Sequence, residues 1–349
     1  MKHLRFQPIP CKGLTITVDR LGDGYLSPLG VSVICSCFAI APYFFKTMAE
    51  SFVRGGQEGW LHDPGFWGGF FHTYEQFQVD GPMPTPRKLH IFLPRDYPVS
   101  DRSYPVLYLN DGDTIFFPGG AYGKCWHLGK TLTRLYLSHQ IQRLMVVAVC
   151  PTRRDYEYTH APMWQREWGG LGDYAAYLAQ SVKDFVDTNY RTQSDPASTL
   201  IAGASHGGLA AFYTAAKYPQ QFGNVAAFSP SFWVGLDSAT EPFLMGADDH
   251  FFGEVASSSL LFEAEPTLRD RRLRIYLDWG LVRDGGDHNA WIEERATARG
   301  REMRDLLMHR FGYRQQENLF VVEDPWGQHT EESWGERIED VLRIFFRAV

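Results

Sequence analysis

The chain has 349 residues with 44% hydrophobic and 21% charged content, the composition of a soluble globular protein able to bury a sizeable core. Its net charge of −7 at pH 7, with Arg271-Arg272 and Arg274 as the longest basic cluster, excludes a nucleic-acid-binding face. The length suits one α/β domain over residues 71–349, preceded by an extension over residues 1–70.

In the extension, residues 25–45 carry no charge, and Val31–Ala41 is a mostly apolar run ending in Ala39-Ile40-Ala41. Such a run suits a secretory signal core or a membrane anchor. Pro28, Gly30 and Pro42 interrupt it, and Asp19 and Asp23 precede it, so a buried strand or a segment packed on the domain is the expectation. Strands are predicted at Lys88–Leu93, Pro105–Asn110, Met145–Cys150, Thr199–Ala202, Val225–Phe228, Leu273–Asp278 and Leu319–Glu323. Between the third and fourth of these, Tyr174, Tyr177, Leu178, Val182, Phe185, Val186 and Tyr190 recur three and four apart as one helix face. A second helix carries Met303, Leu306, Leu307 and Phe311 and stops at Gly312, and a closing helix runs from Ser333. The alternation predicts a mostly parallel sheet covered by helices on both faces.

Five cysteines, Cys11, Cys35, Cys37, Cys125 and Cys150, form neither even pairs nor a metal-ligand spacing. They read as free thiols in a reducing, cytoplasmic compartment, with the uncharged run at 25–45 leaving export or anchoring open. No metal or cofactor is expected, membrane binding is not expected, and nothing specifies an oligomer.

Chemistry is concentrated late in the chain. Gly203-Ala204-Ser205-His206-Gly207 lies between the strand-like Thr199–Ala202 and a helix-like run from Leu209. This is the setting of a nucleophile elbow, in which a sharp strand-to-helix turn exposes a serine hydroxyl and aims helix N-terminal amides at a developing oxyanion. Its partners are sought downstream in the order acid, then histidine. Among the twelve histidines, His329 alone follows a late strand on a loop, Asp324–His329, before the closing helix. For the acid, Asp284 lies a few residues past the strand ending at Asp278, with Asp287 as the alternate. Many of the aromatics fall on the same loops, among them Tyr156, Tyr158, Trp164, Trp168, Phe232, Trp233, Trp279 and Trp326, which favours an apolar or aromatic substrate.

Several separate blocks then carry a resemblance. Tyr104–Asp113, Arg154-Asp155-Tyr156-Glu157-Tyr158-Thr159, Asp187–Thr192, Ser205–Leu209, Phe228–Trp233 and Gly327–Trp334 together resemble the putative esterase family of α/β-hydrolases, which includes esterase D, siderophore and feruloyl esterases and mycolyltransferases. The resemblance runs from about His72 to the C-terminus and implies an α/β-hydrolase fold. It implies Ser205 as nucleophile, His329 as base and Asp284 as acid, although the acid loop reads Gly-Leu-Val-Arg-Asp where the family more often has Gly-Thr-x-Glu-Asp. It also implies that the backbone N–H groups of His206 and Asp113 form the oxyanion hole, and that the loop with Arg154, Tyr156 and Tyr158 borders the substrate; Trp233 and Trp326, among the loop aromatics, are expected beside it. The activity implied is hydrolysis of a small-molecule or carbohydrate-linked carboxylic ester through an acyl-enzyme. Acyl transfer by the same triad stays open, as does non-catalytic binding in the same cleft, which loss of a triad member would favour.

Overall fold

The computed structural model describes residues 50–160, 167–236, 259–283 and 290–348. The readings of Val31–Ala41, of Cys11, Cys35 and Cys37, of Trp164, and of Asp284 and Asp287 lie outside these residues. Cys125 and Cys150 are buried free thiols.

Ten strands form one sheet: β1 Glu50–Arg54, β2 Gln57–His62, β3 Gly69–Phe77, β4 Arg87–Pro94, β5 Val106–Leu109, β6 Met145–Val149, β7 Thr199–Ala204, β8 Asn224–Phe228, β9 Arg274–Gly280 and β10 Leu319–Asp324. Their order is β1-β2-β3-β4-β6-β5-β7-β8-β9-β10. The last six in that order are parallel, while β1 to β4 and the β4–β6 junction are antiparallel. All seven predicted strands are present within a residue or two of their expected bounds. The three antiparallel strands β1 to β3 were not anticipated, and β1 and β2 bring residues 50–62 into the sheet.

The parallel strands are continuous apolar runs such as Met145-Val146-Val147-Ala148-Val149, every residue of which is buried, as a strand covered on both faces requires. Two apolar clusters supply the cover. One gathers Leu89, Val106, Tyr174, Leu178, Phe212 and Leu307, and the other Phe92, Leu107, Leu132, Phe228, Trp334 and Leu342. The helix face read between β6 and β7 is one continuous run: α-helix over Leu171–Ala176, a π-helical stretch over Tyr177–Val182 and α-helix again over Lys183–Asn189. Among the described residues no helix is long and apolar enough to cross a membrane.

The chain passes from β5 outward to β6 and then back across to β7, so the strand order reverses between β5 and β7. A crevice opens at such a switch point, beyond the carboxyl ends of the strands.

Candidate active site

Every candidate catalytic residue within the described regions lies at that edge. Ser205 directly follows β7, and the helix His206–Lys217 begins at the next residue. Its backbone is at φ 55°, ψ −122°, a conformation that non-glycine residues hold only when their surroundings over-determine it. The surroundings are visible: the Ser205 N–H donates to the Phe228 carbonyl (2.9 Å), and the Ser205 carbonyl accepts from Gly208, Leu209 and Ser231. Gly203 and Gly207 make the turn sterically feasible. A Cβ on Gly203 would run into the Gly207 carbonyl, and one on Gly207 would stand 2.8 Å from the Asp111 carboxylate.

That last contact joins the elbow to the loop after β5. Asn110 is buried between them, its Nδ2 donating to the Gly207 carbonyl (2.8 Å) and its Oδ1 accepting from the Tyr174 hydroxyl (2.8 Å). Asp111 takes the left-handed conformation, φ 54°, ψ 46°, and its N–H donates to the Tyr158 hydroxyl (2.9 Å). The short helix Gly112–Ile115 follows. Asp113 in that helix and His206 in the helix after the elbow both lie in first turns, where amides have no intrahelical carbonyl to bond. β5 and β7 are adjacent and parallel, so the residues after both strands leave the same edge of the sheet. Burial, then the neighbouring Asp111, push the Asp113 carboxyl's pKa up.

Ser205 is buried, and its Oγ lies 3.3 Å from Ser231 Oγ, which in turn is 3.4 Å from His206 Nδ1. The His206 ring meets Trp168 (5.9 Å between centroids) and Trp233 (5.6 Å), and the two indoles meet each other at 5.8 Å. An aromatic wall therefore stands on His206, the residue after Ser205.

His329, 4% exposed, occupies the loop after β10. The Trp334 ring stands edge-on to it at 5.0 Å. The loop after β9 is laced to this one at its start: Leu281 N–H donates to the Asp324 carbonyl (2.9 Å) and Val282 N–H to the Gly327 carbonyl (3.1 Å). Arg283, one of two departures from the commoner family pattern, turns back to donate to the Gly280 carbonyl (2.9 Å) and Thr297 Oγ1 (2.6 Å). Asp278 is occupied elsewhere, by Arg337, Tyr276 and Ser229. A buried carboxylate that the sequence did not bring forward, Glu293, lines a small cavity together with His329 and Ser229.

The five expected substrate neighbours divide. Trp233 stands in the aromatic wall. Tyr156 is half-buried, with the Arg153 guanidinium 4.3 Å from its ring centre. Arg154 is committed to Asp111 through two bonds, Nε to Oδ1 (2.7 Å) and Nη2 to Oδ2 (2.9 Å); burial opposes its charge, but the Asp111 carboxylate prevails and raises its pKa. Tyr158 departs from expectation: its ring is fully buried against Tyr174 and its hydroxyl is engaged by the Asp111 amide, so it props the loop after β5. Trp326 is 85% exposed on the loop after β10. The loop carrying Arg154 is itself anchored by a fully buried ion pair, Arg87–Glu157 (2.9 Å), whose carboxylate also accepts from the N–H groups of Thr152 and Arg153.

The family described as Putative esterase matches residues 81–345. The chain is 26% identical over 155 residues to the uncharacterized protein YbbA of Bacillus subtilis, an overlap covering 42% of this chain and 58% of that one. An IroE-like serine hydrolase from Shewanella oneidensis shares the fold with a TM-score of 0.56 at 16% identity, covering 78% of this chain and 80% of the other. A ferulic acid esterase does so with a TM-score of 0.52 at 18% identity, covering 76% and 93%. With the match spanning most of the sheet and its C-terminal edge, the chain belongs to the putative esterase family and has the α/β-hydrolase fold.

Proposed function

We propose that the protein is a serine hydrolase that cleaves a carboxylic ester through an acyl-enzyme. The observation that carries this reading is the strained backbone of Ser205 at the β7–helix turn, beside the β5 loop and on the same edge as His329. In the reaction, Ser205 Oγ attacks the ester carbonyl while His329 takes its proton. The amides of His206 and Asp113 receive the oxyanion, and His329 returns the proton to the leaving alcohol. Water then attacks the acyl-enzyme by the same route. Asp284 is the proposed partner of His329; the backbone bonds from Leu281 and Val282 to the His329 loop support an acid loop within reach. The wall formed by Trp168, Trp233 and His206 supports an aromatic or bulky apolar group on the substrate, as does the likeness to a ferulic acid esterase.

The test is labelling by a fluorophosphonate probe, followed by turnover of a panel of aryl, cinnamoyl and alkyl esters. Labelling of the wild type and not of Ser205→Ala, with faster turnover of aromatic esters, is expected. EDTA should leave the rate unchanged, since no step of the scheme uses a metal. A rate lost with EDTA and restored by a divalent ion contradicts it.

A further inference from the structure

The proposed mechanism makes no use of the ion pair buried beneath it. Asp278 has no exposed side-chain surface and Arg337, in the closing helix Glu331–Phe345, has 5%. The guanidinium straddles the carboxylate, Nε 2.9 Å from Oδ2 and Nη2 3.2 Å from Oδ1. The Tyr276 hydroxyl (3.0 Å) and the Ser229 N–H (3.1 Å) complete the carboxylate's shell. Stability alone is a poor reason for such a pair, because desolvating two ions costs several kcal/mol each and apolar replacements of similar volume often do as well.

Its other contacts set it apart. Nη2 also donates to Ser229 Oγ (3.1 Å), and Nη1 donates to Ser333 Oγ (2.9 Å). Ser333 Oγ accepts in addition the N–H of Gln328 (3.0 Å), the residue before His329. Ser229 Oγ accepts the indole N–H of Trp334 (3.3 Å), whose ring abuts His329. One planar group therefore ties together the ends of β8 and β9 and both flanks of the histidine loop. Only a guanidinium presents enough donors in a fixed fork to do this.

We infer that Arg337, held in place by Asp278, is a positioning residue that sets the orientation of the His329 loop. The inference rests on the reading of His329 as the base. Arg337→Lys keeps a positive charge opposite Asp278 and loses the fork. It should lower kcat by about 10- to 100-fold, the scale of a misplaced catalytic group, with KM within about twofold. The rate at which a fluorophosphonate labels Ser205 should fall in parallel, and amide hydrogen exchange over residues 327–334 should quicken several-fold. Ser333→Ala, which leaves no buried charge unpaired, should move the same readouts in the same direction by about 3- to 10-fold. A folded Arg337→Lys with wild-type kcat, labelling and exchange overturns the inference. If that variant does not fold, a Ser333→Ala protein with unchanged kcat and exchange overturns it. Exchange does not depend on turnover, so a wild type that fails to label defeats the esterase reading while exchange still decides the brace.

Discussion

The antiparallel and parallel halves of the sheet both bury histidines, and they use them differently. In the antiparallel half, His72 on β3 and His90 on β4 are 8% and 6% exposed. The first shares a hydrogen bond with the Tyr190 hydroxyl (3.1 Å) and the second with Thr73 Oγ1 (2.8 Å). Burial, reinforced by Arg54 for His72 and by Lys88 for His90, pushes each pKa down to about 4. They are neutral packing elements in the middle of strands. His329, at 4% exposure, is no less buried, yet it stands at a strand end, on a loop braced by Arg337 and Ser333. Depth of burial therefore does not separate the proposed base from a packing histidine. The parallel half is distinguished by backbone strain and polar bracing together: Asp111, Ser205 and Ser229, which follow β5, β7 and β8, all have positive φ.

The sharpest way to break this contrast is to exchange roles between the halves. Ser205→Ala and His329→Ala should each keep the fold and lower kcat by roughly 10⁴-fold or more, and the double variant should lose little beyond either single one, because such groups act as a unit. Ester turnover on proteins with matched melting curves decides it. A His72→Phe or His90→Leu protein that lost as much while remaining folded would erase the distinction.

Next in size is the acid. Asp284→Asn should lower kcat by about 10²- to 10⁴-fold with KM nearly constant, because the histidine then settles in the wrong tautomer. Asp287→Asn and Glu293→Gln should have lesser effects. The ranking of the three by kcat identifies the carboxylate that serves His329, and a larger loss in either of the latter pair moves the assignment there.

The antiparallel histidines should appear in stability. Their folded pKa lies below the unfolded one, so the folded state binds the proton more weakly. The stabilisation is complete above about pH 6.5 and is lost as the pH falls through about 4, by roughly 3 kcal/mol for each histidine fully titrated. Urea unfolding between pH 7 and pH 4 should show this slope, and His90→Leu should flatten it. Ester hydrolysis should instead rise with pH along an imidazole titration that His90→Leu leaves in place. An unchanged stability slope in that variant would mean His90 is not the group that titrates.

The smallest expected change concerns Asp113, a carboxylate on the same residue whose amide is proposed to meet the oxyanion, with its pKa pushed up by burial and Asp111. Asp113→Ala removes a negative charge from a position where negative charge develops, and turnover should rise a few-fold. A fall would show that the carboxylate serves the loop rather than opposing the chemistry.

Local sequence was enough for the parallel half of the sheet and for its sharp turn after β7, because buried parallel strands are written as unbroken apolar runs and an elbow needs small residues in a fixed local order. The seven strands and the strand-to-helix turn at Ser205 were legible for that reason. The antiparallel strands were not: Gly69–Phe77 mixes His72, Thr73 and Glu75 with aromatics, and its apolar character appears only once Tyr190 and Phe185 pack against it. Tyr158 read as a substrate neighbour because its loop was recognisable, whereas only the fold shows its ring fully buried. Asp278 read as a strand end for the same local reason. Its partner Arg337 lies 59 residues away, and no local pattern announces a pair whose members meet only after β8, β9 and the closing helix have packed. Local sequence encodes periodicity and turn chemistry; which distant charges are desolvated together is settled by tertiary packing alone.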